Sequence, residues 1–164
     1  MTSKVISLIE QNTSVIVSLE DGWDRTTQIV SLAQLLMDPW YRTIAGFQCL
    51  LEKEWLRFGH KFSQRHSHTK TDNRLAEKAP VFLHFMDCVF QLICQHPTEF
   101  EFNETFLNVV AAEVIDGRFG NFLFNSEAER VASGVSSKTV RFFFVCLFVC
   151  LFLVWFGLFF SDPD

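Results

Sequence analysis

The chain has 164 residues, room for about one domain. It is 49% hydrophobic and 20% charged, with a formal net charge of −5; this acidic balance excludes general nucleic-acid binding and requires any anion site to be local. Its five cysteines are odd in number and lack zinc-ribbon spacing, which points to reduced thiols in a cytosolic setting.

Taken in chain order, residues 4–11 read as the end of a helix. The β-branched run Val15-Ile16-Val17 within 14–18 reads as a buried strand. A turn follows at Glu20-Asp21-Gly22. Apolar residues then cover most of a helix over 26–37, which Pro39 ends. Helical spacing of Ile44, Phe47, Leu50, Leu51 and Trp55 predicts a second helix over 43–55, closed by Gly59. Residues 63–79 are polar and read as an exposed loop. In that loop His66 and His68 alternate without a nearby Cys or carboxylate cluster, so no metal centre is expected.

Pro80 opens a third helix with Phe82, Phe85, Val89, Leu92 and Ile93 inward, and Pro97 stops it. A fourth helix covers 104–115, with Phe106, Leu107, Val110, Ala111 and Val114 inward and Gly117 at its end. A short helix follows over 126–131, then a linker over 134–138. The tail 142–160 is an unbroken apolar run, long enough to span a membrane and preceded by Lys138 and Arg141. It reads as a membrane anchor or as translated non-coding sequence.

The chemistry-bearing segment is 15–26. A predicted strand, a glycine-containing turn and a helix start carrying Arg25 form an architecture suited to phosphate. Backbone N–H groups point into such a turn, the helix dipole favours an anion there, and arginine adds a two-pronged donor. Spacing alone is a weak signal, because many surface arginines share it.

Asp21-Gly22-Trp23-Asp24-Arg25-Thr26 matches, residue for residue, the last six positions of the phosphatase loop His-Cys-Ser-Asp-Gly-Trp-Asp-Arg-Thr of the myotubularins. Asp38-Pro39-Trp40-Tyr41-Arg42-Thr43, Glu52-Lys53-Glu54-Trp55, Phe58-Gly59-His60-Lys61-Phe62 and Phe119-Gly120-Asn121-Phe122-Leu123 also resemble that family, over about residues 4–140. The resemblance implies the C-terminal part of a phosphoinositide phosphatase domain over 1–140, followed by the tail 141–164. It implies an α/β fold: the end of a mostly parallel sheet, the phosphate loop, a helical C-terminal half, and a C-terminal apolar helix. Asp21, Gly22, Trp23, Asp24 and Arg25 would bind phosphate, with Asp24 at the family's general-acid position. No cofactor is implied, and His60 is read as structural.

The sequence departs from the pattern at three positions. Ser18 stands where the family has His, Leu19 where it has the nucleophilic Cys, and Glu20 where it has Ser. A leucine has no electron pair to donate to phosphorus. Glu20 adds negative charge beside an anion site. These departures resemble the set-binding-factor branch of inactive myotubularins, although Arg25 is kept. The expectation is a pseudophosphatase that regulates active myotubularin-related partners at endosomal membranes, with phosphoinositide headgroups as possible ligands. The alternative is an active 3-phosphatase for phosphatidylinositol 3-phosphate and 3,5-bisphosphate.

Overall fold

The protein is described by a computed structural model over residues 1–19, 21–66, 78–118 and 120–135. Seven α-helices are defined among them. α1 is Thr2–Glu10, α2 Arg25–Met37, α3 Ile44–Leu50, α4 Phe62–His66, α5 Val81–Gln95, α6 Glu104–Asp116 and α7 Glu127–Ala132.

Side-chain caps and prolines set most of the boundaries. Pro39 cannot continue α2, and the chain tightens into a 3-10 turn, Pro39–Arg42, whose first donor, Trp40 N–H, is taken by Asp38 Oδ1 at 2.9 Å. Thr43 Oγ1 accepts the Gly46 N–H at 3.0 Å and starts α3. α3 then runs without a break into a π-helical segment, Leu51–Arg57. Asn103 Oδ1 caps α6 by accepting from Phe106 N–H, and Gly117, at φ +61°, ends it in the left-handed conformation glycine favours. Ser126 Oγ accepts from Glu129 N–H, while Glu129 Oε2 accepts from Asn125 N–H, fixing the entry to α7.

The core lies between α2, the α3–π segment, α5 and α6. Leu35, Phe47, Leu50, Leu51, Trp55, Phe62, Phe82, Phe85, Val89, Val110 and Phe122 are fully buried there. Aromatic rings dominate it. Phe47 meets Phe102 at a 4.7 Å centroid distance, and Trp55 meets Phe82 edge-on at 4.9 Å. Each such ring removes on the order of 150–250 Å² from water, so this cluster fixes the angles between the helices. Trp55 matters for the site, because His60 packs on its ring at 4.9 Å.

Two expectations are corrected. The run 14–18 forms no strand, and no strand or sheet exists among the described residues, so the α/β assignment gives way to an all-helical arrangement. A β-branched run favours a strand only where a second strand supplies ladder hydrogen bonds and cross-strand neighbours. No second strand lies among the described residues, and Ile16 is 93% exposed rather than buried. The exposed-loop reading of 63–79 also fails at its start: α4 occupies 62–66, with Phe62 and Ser63 buried. The rest of that loop, 67–77, lies outside the described residues. So does the apolar helix expected over 142–160, and among the described residues no helix is long and apolar enough to cross a membrane.

Candidate phosphate-binding site

The turn before α2 is closed by a hydrogen bond from Gly22 N–H to the Leu19 carbonyl at 3.0 Å. Gly22 has φ +84°, and a Cβ placed on it would meet nothing within 4 Å. The backbone angle, rather than crowding, makes glycine the residue for this position. Two hydroxyls from the first turn of α2 reach back into the loop. Thr26 Oγ1 donates to the Leu19 carbonyl at 3.4 Å, and Thr27 Oγ1 donates to the Gly22 carbonyl at 3.3 Å. Arg25 is the first residue of α2 and is solvent-exposed, as are Asp21 and Gly22. The predicted segment 21–25 is therefore one continuous turn leading into a helix start. Glu20 lies outside the described residues, and Leu19 is half-buried.

Asp24 does not face the turn alone. Arg65 of α4 grips its carboxylate with Nη2 at 2.6 Å and Nε at 3.2 Å from Oδ2. His60 places Nδ1 3.1 Å from Asp24 Oδ1 and 3.0 Å from the Trp23 carbonyl. Both neighbours of Nδ1 are acceptors, so it carries the proton. The other ring nitrogen, Nε2, is buried among the rings of Trp55 and Phe62, with no hydrogen-bond partner among the described residues. Next in the chain, the Lys61 ammonium sits 3.7 Å over the Trp23 ring, a close cation–π contact.

Partial burial pushes the Asp24 carboxyl up, but the hydrogen bonds from His60 and then Arg65 outweigh it. The net result lies below the ordinary aspartate value. Asp24 is thus an ionised acceptor at neutral pH.

Sequence reasoning found the turn but missed its support. His60 was expected only as a structural residue, and Arg65 fell in a segment expected to be solvated. The one signal for His60 was the segment Phe58-Gly59-His60-Lys61-Phe62, which places two polar residues between two rings; Arg65 lies just beyond it. Nothing in the sequence ties that segment to Asp24, which lies 41 positions before Arg65.

Comparison with known proteins supplies the family. A model of the myotubularin-like phosphatase domain matches residues 1–131. The chain is 51% identical over 128 residues to mouse phosphatidylinositol-3,5-bisphosphate 3-phosphatase MTMR2, covering 78% of this chain and 20% of that protein. It is 50% identical over 126 residues to myotubularin of Xenopus laevis, covering 77% of this chain and 21% of that protein. The chain therefore spans about a fifth of the length of these curated relatives. The expectation that the chain is not an enzyme is corrected: the matching family model is of a phosphatase domain, the mouse relative is named as a phosphatase, and neither relative's name points to the set-binding-factor branch. On a match that covers most of its length, this chain belongs to the myotubularin-like phosphatase family.

Proposed function

We propose that the chain carries the phosphate-binding turn of a phosphoinositide 3-phosphatase acting on phosphatidylinositol 3-phosphate and 3,5-bisphosphate. The observation that carries this reading is the turn itself. Asp21 to Arg25 form one continuous loop into the start of a 13-residue helix, with Arg25 exposed at its first position. Such a helix start presents backbone N–H groups and a positive dipole end to an anion, and arginine neutralises and orients phosphate oxygens. The name of the mouse relative, a 3-phosphatase of the 3,5-bisphosphate, supports this substrate class.

The roles within the turn follow from side-chain chemistry. Gly22 gives the reversal, Arg25 binds the phosphate, and Trp23, held by Lys61, forms one wall. Leu19 bears no nucleophilic atom, so the group that attacks phosphorus is not residue 19.

The test is inorganic phosphate release from vesicles containing each lipid, with vesicle co-sedimentation in the same samples. The expected result is sedimentation and phosphate release that depend on the 3-phosphate, both falling at least tenfold in Arg25→Ala. In Leu19→Cys, which places a thiol at the turn, release is expected to rise. Loss of both 3-phosphate-dependent sedimentation and release in the parent chain would sink the proposal.

A further inference from the structure

We propose that the groove between α5 and α6 is a docking surface for a cationic amphipathic helix of a partner protein, received by an apolar floor and two rim carboxylates. This inference goes beyond the function proposed above and does not depend on it.

The groove encloses about 310 Å³. Its apolar lining is graded by depth: Met86 and Leu107 are buried, while Leu83, Phe90 and Ala111 are half-buried. On α5 the lining residues stand at 83, 86, 87 and 90, and on α6 at 104, 107, 108 and 111. Both sets follow the i, i+3, i+4, i+7 spacing that puts side chains on one face of a helix. Two such stripes on packed helices border a furrow two turns long, roughly 10 Å at 1.5 Å per residue. A furrow between two helices takes a third helix, whose own side-chain ridge fits into it. An extended peptide would look for main-chain partners, and the backbone of α5 and α6 is already paired within each helix along this stretch.

The rim sets the sign of the partner. Asp87 of α5 and Glu104 of α6 are exposed, and no lysine or arginine lines the groove. The polar neighbour of Glu104 is neutral: Asn108 Nδ2 donates to its Oε1 at 3.5 Å. Among the described residues neither carboxylate has an ion-pair partner, whereas Glu99, Glu113 and Glu127 each have an arginine. Lysines flanking the apolar ridge of an incoming helix complement this rim. The buried apolar area supplies the affinity, and the charges select the partner and speed its approach. A second copy of the chain would bring its own negative rim and a net charge of −5. An anionic lipid surface would be repelled in the same way.

The probe is a synthetic Leu/Lys peptide of about 18 residues, with leucines at i, i+3, i+4 and i+7 on one face and lysines on the other. It is titrated into the full chain and followed by fluorescence anisotropy and by the backbone amide NMR signals of Leu83, Asp87, Asn108 and Ala111. Two controls accompany it: a Leu/Glu peptide with the same apolar face, and a scrambled Leu/Lys peptide with no face. The scrambled peptide measures attraction to an acidic chain without a docked helix. The Leu/Lys peptide is expected to bind at least about tenfold more tightly than either control and to shift those four signals.

Two variants locate the binding. Ala111→Trp fills the groove, and Asp87→Lys combined with Glu104→Lys reverses its rim at two exposed positions. Each is expected to weaken the Leu/Lys peptide about tenfold or more, and the reversed rim to tighten the Leu/Glu peptide. Should Ala111→Trp fail to fold, the rim reversal decides alone. The proposal is overturned if the Leu/Lys peptide does not saturate, if the scrambled peptide binds equally, or if the reversed rim binds both peptides as the parent does. Sedimentation that shows a dimer broken by Ala111→Trp would give the groove to a second copy. Co-sedimentation with phosphatidylcholine vesicles lost in the same variant would give it to lipid. Either result overturns the cationic helix.

Discussion

Arg130 of α7, 4% exposed, donates Nη2 to the Leu56 carbonyl at 2.9 Å across 74 positions of sequence. Its Nη1 donates to the Leu123 carbonyl at 3.2 Å, and its Nε to Glu127 at 3.0 Å. One guanidinium thus joins α7 and the segment before it to the end of the π-helical stretch, just upstream of Gly59 and His60. Arginine fits because its planar fork spreads separate N–H donors far enough apart to serve these three acceptors at once.

Arg130→Ala is therefore expected to destabilise the fold by about 3 kcal/mol, since a buried and a part-buried carbonyl lose their donor and a cavity opens. Urea unfolding followed by circular dichroism measures this. Arg130→Lys should recover less than half, because a single ammonium cannot reach both carbonyls. A full recovery would show that charge, not the fork, does the holding.

The two glycines at 22 and 46 make a paired prediction. A Cβ at Gly46 would stand 1.9 Å from the Trp40 carbonyl oxygen, which is backbone and cannot swing away. Gly46→Ala must push the 3-10 turn off α3 and is expected to cost about 3 kcal/mol or more. At Gly22 there is open space but a φ of +84°. Gly22→Ala should cost only about 1–2 kcal/mol of stability. Its larger effect should fall on anion binding, through a reshaped turn. Thermal unfolding and phosphate titration of both variants separate the cases; equal stability losses would contradict the distinction.

How much of this was legible beforehand depends on the range of the forces involved. Helix positions followed from local signals: Pro39 and Pro97 as stops, Gly117 as a left-handed cap, and the period of Phe82, Phe85 and Val89. The strand did not follow, because Val15-Ile16-Val17 has strand propensity but pairing is decided by a partner elsewhere. Similarly, the turn at 21–25 was readable as a motif, while its grip by His60 and Arg65 was not. An ion pair between residues 41 positions apart leaves no periodicity to detect. The change from α to π helix after Leu50 also left no signal: Glu54 stands in a charged stretch beside Glu52 and Lys53, yet it is buried and accepts from Gln34 at 2.8 Å.

The cysteines provide a chemical check on burial. Cys49 and Cys94 are exposed, whereas Cys88 is partly buried on α5. Burial, and then the neighbouring Asp87 charge, push the Cys88 thiol up from its ordinary value. Less thiolate and less access both slow alkylation. With iodoacetamide at pH 8, peptide mapping should show Cys49 and Cys94 modified on the order of tenfold faster than Cys88. Equal rates would mean that α5 opens readily or is packed differently.

The last prediction concerns acid. Asp24 titrates in the folded protein below its ordinary value of 3.8, because the His60 and Arg65 hydrogen bonds more than offset the upward push of burial. A carboxylate with a depressed folded-state pKa contributes stability that is complete well above its unfolded value, near 3.9, and that is lost as the pH falls through the folded value. The unfolded chain binds the proton first, so acid draws the equilibrium toward it. Asp24→Asn cannot ionise in either state. Compared by urea midpoints, the parent should exceed Asp24→Asn by a constant margin from pH 7 to about 5, and that margin should shrink below about pH 4. Other acids titrate alike in both proteins and cancel in the difference. A margin that stayed constant down to pH 3 would show that the contact with Arg65 and His60 is worth the same whether or not residue 24 is charged, and would remove the ionised contact from the account of this turn.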